Sequence, residues 1–276
     1  MLNGVLFVYD QEKKLVAFKS GDLNSRRAVV MIGGLGDGFL TIPYMEPLSN
    51  ECRSREFMFV QLLMESSYSG FGLKSLEADC HNLVKLTKCL VADHGIKEVH
   101  LIGHSTGCQD IAWLLTRFPN PPIDVIKTAC LQAPVSDADF IKYAHQDMIA
   151  EFEKISPSLT DQNTVLPFTY FGHPITAYRF RSLAIHGNDD DFFSEGICTD
   201  KLVEAMNVPC MIVMSGKDEY IPPTFEPARL MAAFKAKTSL YLATSDHAIS
   251  DEESQRQFIE AYFKFLLINS QDSDRP

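Results

Sequence analysis

The sequence predicts an α/β fold: a mostly parallel, twisted sheet with helices on both faces and a cap insertion. Three observations lead there. Short apolar runs alternate with segments of helical period along most of the chain. A Gly-x-Ser-x-Gly turn, Gly103-His104-Ser105-Thr106-Gly107, joins one such run directly to one such helix. Residues 134–200 break the alternation and are rich in aromatic and polar side chains.

The elements follow in order. Val5 to Tyr9, Leu15 to Phe18 and Ala28 to Ile32 read as strands bounded by polar residues or glycine. With no helix between them, they are expected to be antiparallel at one sheet edge. Gly33-Gly34-Leu35-Gly36-Asp37-Gly38 is a turn, and Phe57 to Leu63 another strand. Leu73 to His94 carries apolar residues at helical spacing and stops at Gly95. Glu98 to Ile102 is a buried strand, Thr106 to Phe118 a helix closed by prolines, and Ile126 to Leu131 a strand. Within the irregular stretch, Ala138 to Ile155 reads as helix. Then come helix Leu202 to Met206, strand Cys210 to Met214, helix Pro227 to Phe234, strand Thr238 to Ala243 and a closing amphipathic helix, Gln255 to Ile268. No linker interrupts this pattern, so residues 1–276 form one domain and residues 134–200 a cap within it.

Composition narrows the partners. The chain of 276 residues has 36 Asp and Glu against 25 Lys and Arg, a net charge of −11. Clustered cations for nucleic-acid phosphate are missing, and an anionic membrane surface is disfavoured. The 46 % hydrophobic content suits a folded core and excludes extensive disorder. No apolar run approaches the ~20 residues that span a bilayer. Met1 to Asp10 lacks the basic start of a signal peptide, and Gln271 to Pro276 reads as a frayed polar tail. Seven scattered cysteines without a Cys-x-x-Cys pair point to small buried hydrophobes in a reducing cytoplasm.

The glycine-flanked serine is the chemical centre of the sequence. A strand–turn–helix elbow strains the backbone at Ser105 and lifts its hydroxyl clear of the sheet. A hydroxyl is a weak nucleophile, so it needs a base, and the base needs an orienter. Such an elbow predicts the chain order serine, acid, histidine. The loop after the strand Cys210 to Met214 offers Asp218, and the loop after the next strand offers His247, 29 residues later. Glu219 or Asp246 could replace Asp218 as acid, and Asp137 and Asp139 stand second. His104 reads as a packing residue, and His145, His173 and His186 as ordinary polar residues. Backbone N–H groups of Thr106 and Leu35 are the expected oxyanion donors. The glycine turn fits neither a Walker loop nor a dinucleotide fingerprint.

Gly34, Tyr68, Tyr178 and Arg179 are candidates for substrate contact. Arg179 and Arg181 are read first as staples to the acidic run Asp189 to Asp191, with contact to an anionic or carbonyl-rich substrate as the other role. Three adjacent carboxylates make a poor metal site, so neither metal nor cofactor is expected.

Beyond these local readings, the chain resembles the α/β-hydrolase superfamily across its length. More narrowly, it is similar to the uncharacterised-domain family that includes fungal siderophore esterases, which cut fusarinine-type hydroxamate esters. Gly33-Gly34-Leu35 with Asp37-Gly38, Ser66 to Gly70, Gly103 to Asp110, Ala177 to Leu183, Asp189 to Ser194 and Asp246 to Asp251 carry the resemblance. By position it implies Ser105 as nucleophile, Asp218 as acid and His247 as base. The expected function is serine hydrolysis of a small-molecule carboxylic ester. A non-catalytic receptor on the same fold and a thioesterase or peptidase are the alternatives.

Overall fold

The structure, a computed structural model, describes residues 2–197, 199–234 and 238–270. Cys198 and the expected frayed tail, 271–276, lie outside the described residues.

The strands are β1 (Val5–Asp10), β2 (Leu15–Gly21), β3 (Arg27–Ile32), β4 (Met58–Leu62), β5 (Glu98–His104), β6 (Ile126–Gln132), β7 (Val165–Tyr170), β8 (His173–Thr176), β9 (Cys210–Ser215) and β10 (Ser239–Leu242). The helices are α1 (Met45–Ser54), α2 (Leu76–His94), α3 (Thr106–Thr116), α4 (Asp137–Ala144), α5 (Gln146–Ile155), α6 (Ala177–Ala184), α7 (Thr199–Met206), α8 (Pro227–Ala232) and α9 (Glu252–Ser270). Eight strands form one sheet in the order β1-β2-β4-β3-β5-β6-β9-β10. Only β1–β2 and β2–β4 pair antiparallel within it. The third strand departs from the expected antiparallel edge. It runs parallel between β4 and β5, because α1, which short-range patterning did not disclose, carries the chain from β3 to β4.

Burial on both faces explains the unbroken apolar runs. Ala28, Val30 and Ile32 of β3 face a core shared with α2, α3, α7 and α8. Val29 and Met31 face the opposite core, built on α1 and α9. The alternation of side chains across a strand thus feeds two layers. Caps set the helix limits. Ser75 Oγ accepts the Ala78 N–H, and Gly95 ends α2 in the left-handed region at φ 69°. The helix therefore begins at Leu76 rather than Leu73, preceded by a 3-10 turn over Tyr68–Gly72.

The inserted segment is more ordered than its composition suggests. The expected helix 138–155 is two helices that break at His145, whose ψ of 44° leaves the helical region. Residues expected to be irregular form the β7–β8 hairpin and α6, which share a third core with Ile141, Phe152 and Phe71. Aromatic side chains at uneven spacing hide this packing from a periodicity reading.

Strand register brings the functional loops together. Ile32 pairs with Gly103, His104 with Gln132, Gln132 with Val213 and Leu242 with Ser215. Five strands therefore end in one row, and the loops after β3, β5, β6, β9 and β10 emerge side by side. In parallel sheets this is where ligand clefts form.

Candidate active site

Ser105 sits between β5 and α3 with φ 53° and ψ −124°. This is a strained conformation for a residue with a side chain, held by the crossing of strand and helix. Small neighbours permit the crossing. A Cβ on Gly103 would lie 2.7 Å from Cys108 N, and one on Gly107 2.8 Å from Gly33 O. Thr106 is the first residue of α3, where a helix leaves its N–H unpaired.

His247 and Ser105 line one cavity of about 410 Å³. His247 Nδ1 lies 2.8 Å from Asp218 Oδ2, and both side chains are buried. The carboxylate accepts, so Nδ1 carries the hydrogen and Nε2 keeps its lone pair. Asp218 Oδ1 accepts the Tyr220 N–H at 3.0 Å, which fixes the carboxylate. Among the described residues no hydrogen bond joins Ser105 Oγ to His247; such contacts commonly tighten only with substrate bound.

Two neighbouring rings pack against the imidazole. Its ring stacks edge-on against Tyr220 at 4.6 Å and tilts against His104 at 4.8 Å, centroid to centroid. Gln132 Nε2 donates to His247 O at 3.0 Å. Gln132 Oε1 then accepts from Tyr44 OH at 2.8 Å and from His104 Nδ1 at 2.6 Å. Burial, reinforced by the neighbouring His247, pushes His104 down to about 4, so it stays neutral. His104 therefore packs against the His247 ring and also bonds Gln132, which holds the His247 backbone carbonyl.

The other carboxylates have different partners. Glu219 Oε2 accepts the His247 backbone N–H, not its ring, and Asp246 Oδ1 accepts Ser250 N. Asp139 pairs with His186. Asp137 does line the cavity, held by Gln109 Nε2 at 2.8 Å.

Leu35 and Gly34 line the cavity on the β3 side. A Cβ on Gly34 would lie 2.7 Å from Ser105 Cβ and 3.3 Å from Oγ, so only glycine lets this loop reach the hydroxyl. Asp37 Oδ2 accepts the Gly34 N–H at 2.7 Å and braces the turn.

Three substrate-contact candidates lie elsewhere. Tyr68 is half exposed and covers Gly38 rather than lining the cavity. Tyr178 donates its hydroxyl to Asp189 Oδ2 at 2.5 Å. Arg179 is buried, with Nη1 on Asp190 Oδ2 at 2.5 Å and Nε on Phe71 O at 3.0 Å, so it joins the inserted segment to the main body. The acidic run is divided among tasks: Asp190 also accepts from Ser182, and Asp191 accepts the Gly187 N–H. Arg181 turns away to Gln162. Among the described residues no group of three or more His, Cys, Asp or Glu could hold a metal ion.

Sequence reasoning missed Gln132, Tyr44, Tyr220 and Gln109. A polar residue closing the apolar run Ile126 to Leu131 was the available signal for Gln132.

Elbow, sheet order and loop placement define an α/β-hydrolase fold, and solved hydrolase-fold structures share it. The chain belongs to the family described as protein of unknown function, DUF1749, which matches residues 2–261. It is 29 % identical over 280 residues to a UPF0613 protein of Schizosaccharomyces pombe, covering 90 % of this chain and 87 % of that one. It is 25 % identical over 317 residues to the fusarinine C esterase sidJ of Aspergillus fumigatus, covering 92 % and 87 %. The structure of siderophore hydrolase EstB from Aspergillus fumigatus matches with a TM-score of 0.80 at 22 % identity, over 97 % of this chain and 98 % of that one.

Proposed function

We propose that this protein is a serine hydrolase of carboxylic esters. The buried His247–Asp218 pair, opening onto the same cavity as the strained Ser105, carries the reading. Ser105 Oγ attacks the ester carbonyl while His247 Nε2 takes its proton. The N–H groups of Leu35 and Thr106 donate to the oxyanion. Collapse expels the alcohol, which takes the proton back from His247, and leaves an acyl-enzyme. Water, deprotonated by the same ring, then attacks the acyl carbonyl, and collapse releases the acid as Ser105 Oγ takes the proton back from His247. Asp218 holds the ring and stabilises its charged form. Residues 134–200 act as a cap within a single domain of residues 1–276.

Relatives named as a fusarinine C esterase and a siderophore hydrolase favour hydroxamate-containing esters as the substrate class. The six described cysteines are all free, which supports a reducing, cytoplasmic setting, and no helix among the described residues is long and apolar enough to cross a membrane.

The test is labelling by a fluorophosphonate and turnover of an ester panel that includes ferric and iron-free hydroxamate siderophores. Ser105→Ala is expected to lose both labelling and turnover while keeping its fold. Full activity in that variant, or ligand binding without any acyl-enzyme by mass spectrometry, refutes the proposal.

A further inference from the structure

The charge of the cavity is one-sided. Asp37, Asp137 and Glu219 line it together with the histidines, and among the described residues no lysine or arginine does. Two of the three carboxylates are committed to backbone: Asp37 to Gly34 N, Glu219 to His247 N. Asp137 is tied to a side chain instead: its Oδ2 is held by the buried Gln109, which also anchors to Val135 O, while its Oδ1, like Asp37 Oδ1 and Glu219 Oε1, makes no hydrogen bond among the described residues. The Arg179 guanidinium, whose charge is felt at Asp137, is engaged by Asp190 and Phe71 O. The same cavity has aromatic walls, among them Phe140, Tyr170 and Tyr220. Ring faces and a carboxylate together suit a cation and repel an anion.

We propose that this cleft selects esters bearing an ammonium group, seated against Asp137 and the aromatic wall, over neutral or anionic esters of the same shape. The inference rests on the hydrolase reading of Ser105 and narrows its substrate class. Burial, with the field of Asp190, pushes the Asp137 carboxyl up to about 7, against the opposing pull of Arg179, His247 and Gln109, so near pH 7 part of it is protonated before a cation arrives. An ammonium beside it restores the charged form. The net charge of −11 also favours the approach of cations.

The test uses two matched sets of esters, with the variable group on the acyl chain in one and on the alcohol in the other. Each set ends in trimethylammonium, its neutral tert-butyl isostere, or carboxylate. In at least one set, kcat/KM for the ammonium ester is expected to exceed that of the tert-butyl ester by about tenfold or more, with the carboxylate slowest. Asp137→Asn is expected to bring that ratio to within about twofold of unity. Hydrolysis of the tert-butyl esters without an ammonium preference in either set overturns this inference and leaves the hydrolase reading standing. A preference that survives Asp137→Asn unchanged overturns the role given to Asp137. No turnover of any ester overturns both readings.

Discussion

Arg179→Met is the most informative perturbation of the fold. The guanidinium and its partner Asp190 are 2 % and 1 % exposed at the side chain. Methionine fills much of the same space but removes the charge, leaving Asp190 uncompensated and the Phe71 carbonyl without its donor. Breaking a buried pair from one side costs about 3–5 kcal/mol. That is a large part of the ~5–15 kcal/mol that stabilises a typical protein. Urea unfolding at pH 7, followed by circular dichroism, measures it. Arg181→Met is the control, because that half-buried side chain only donates to Gln162 Oε1 and lies 5.6 Å from the Phe152 ring centroid. Its loss is expected to be about 1 kcal/mol. Acidity supplies a second arm. Burial already raises the carboxyls of Asp79 and Asp110, and the Arg179 charge opposes that rise. Without Arg179 they hold protons more tightly, so the deficit is expected to be smaller at pH 5 than at pH 8. An Arg179→Met variant within 1 kcal/mol of wild type, or a deficit that does not change with pH, refutes the staple.

Two further outcomes follow from the same contacts. Gly34→Ala places a methyl group 2.7 Å from Ser105 Cβ, so kcat/KM is expected to fall about 100-fold; ester hydrolysis within threefold of wild type argues against the close approach. Asp79 is raised by burial to about 7, above its unfolded value near ~3.9. The folded chain thus keeps a proton that the unfolded chain releases, and this contribution to stability is lost as pH rises from about 4 through about 7. His100 and His104, kept neutral by burial, tilt total stability the other way at the acidic end, so the comparison is between variants. Asp79→Asn is expected to gain on wild type steadily from pH 5 to pH 8 in urea midpoints; parallel curves count against the buried proton.

What the sequence alone determined is local. The strand-to-helix switch at Ser105, the strands of the main sheet with most of the helices between them, and the loops bearing Asp218 and His247 were legible because they depend on side-chain period and on turn chemistry within a few residues. Ala138 to Ile155 shows the limit, since a single backbone break at His145 leaves the apolar spacing of that segment unaltered. Tertiary structure alone decided the rest. The place of β3 inside the sheet depends on strand pairing, and the bridge from Tyr44 through Gln132 to His247 spans 88 and 115 residues of chain. Arg179 chose between substrate and staple by burial against Asp190 and the Phe71 carbonyl, 108 residues away. Contacts of that reach leave no period in a sequence, because they come from how separate elements stack and not from the conformation of any one of them.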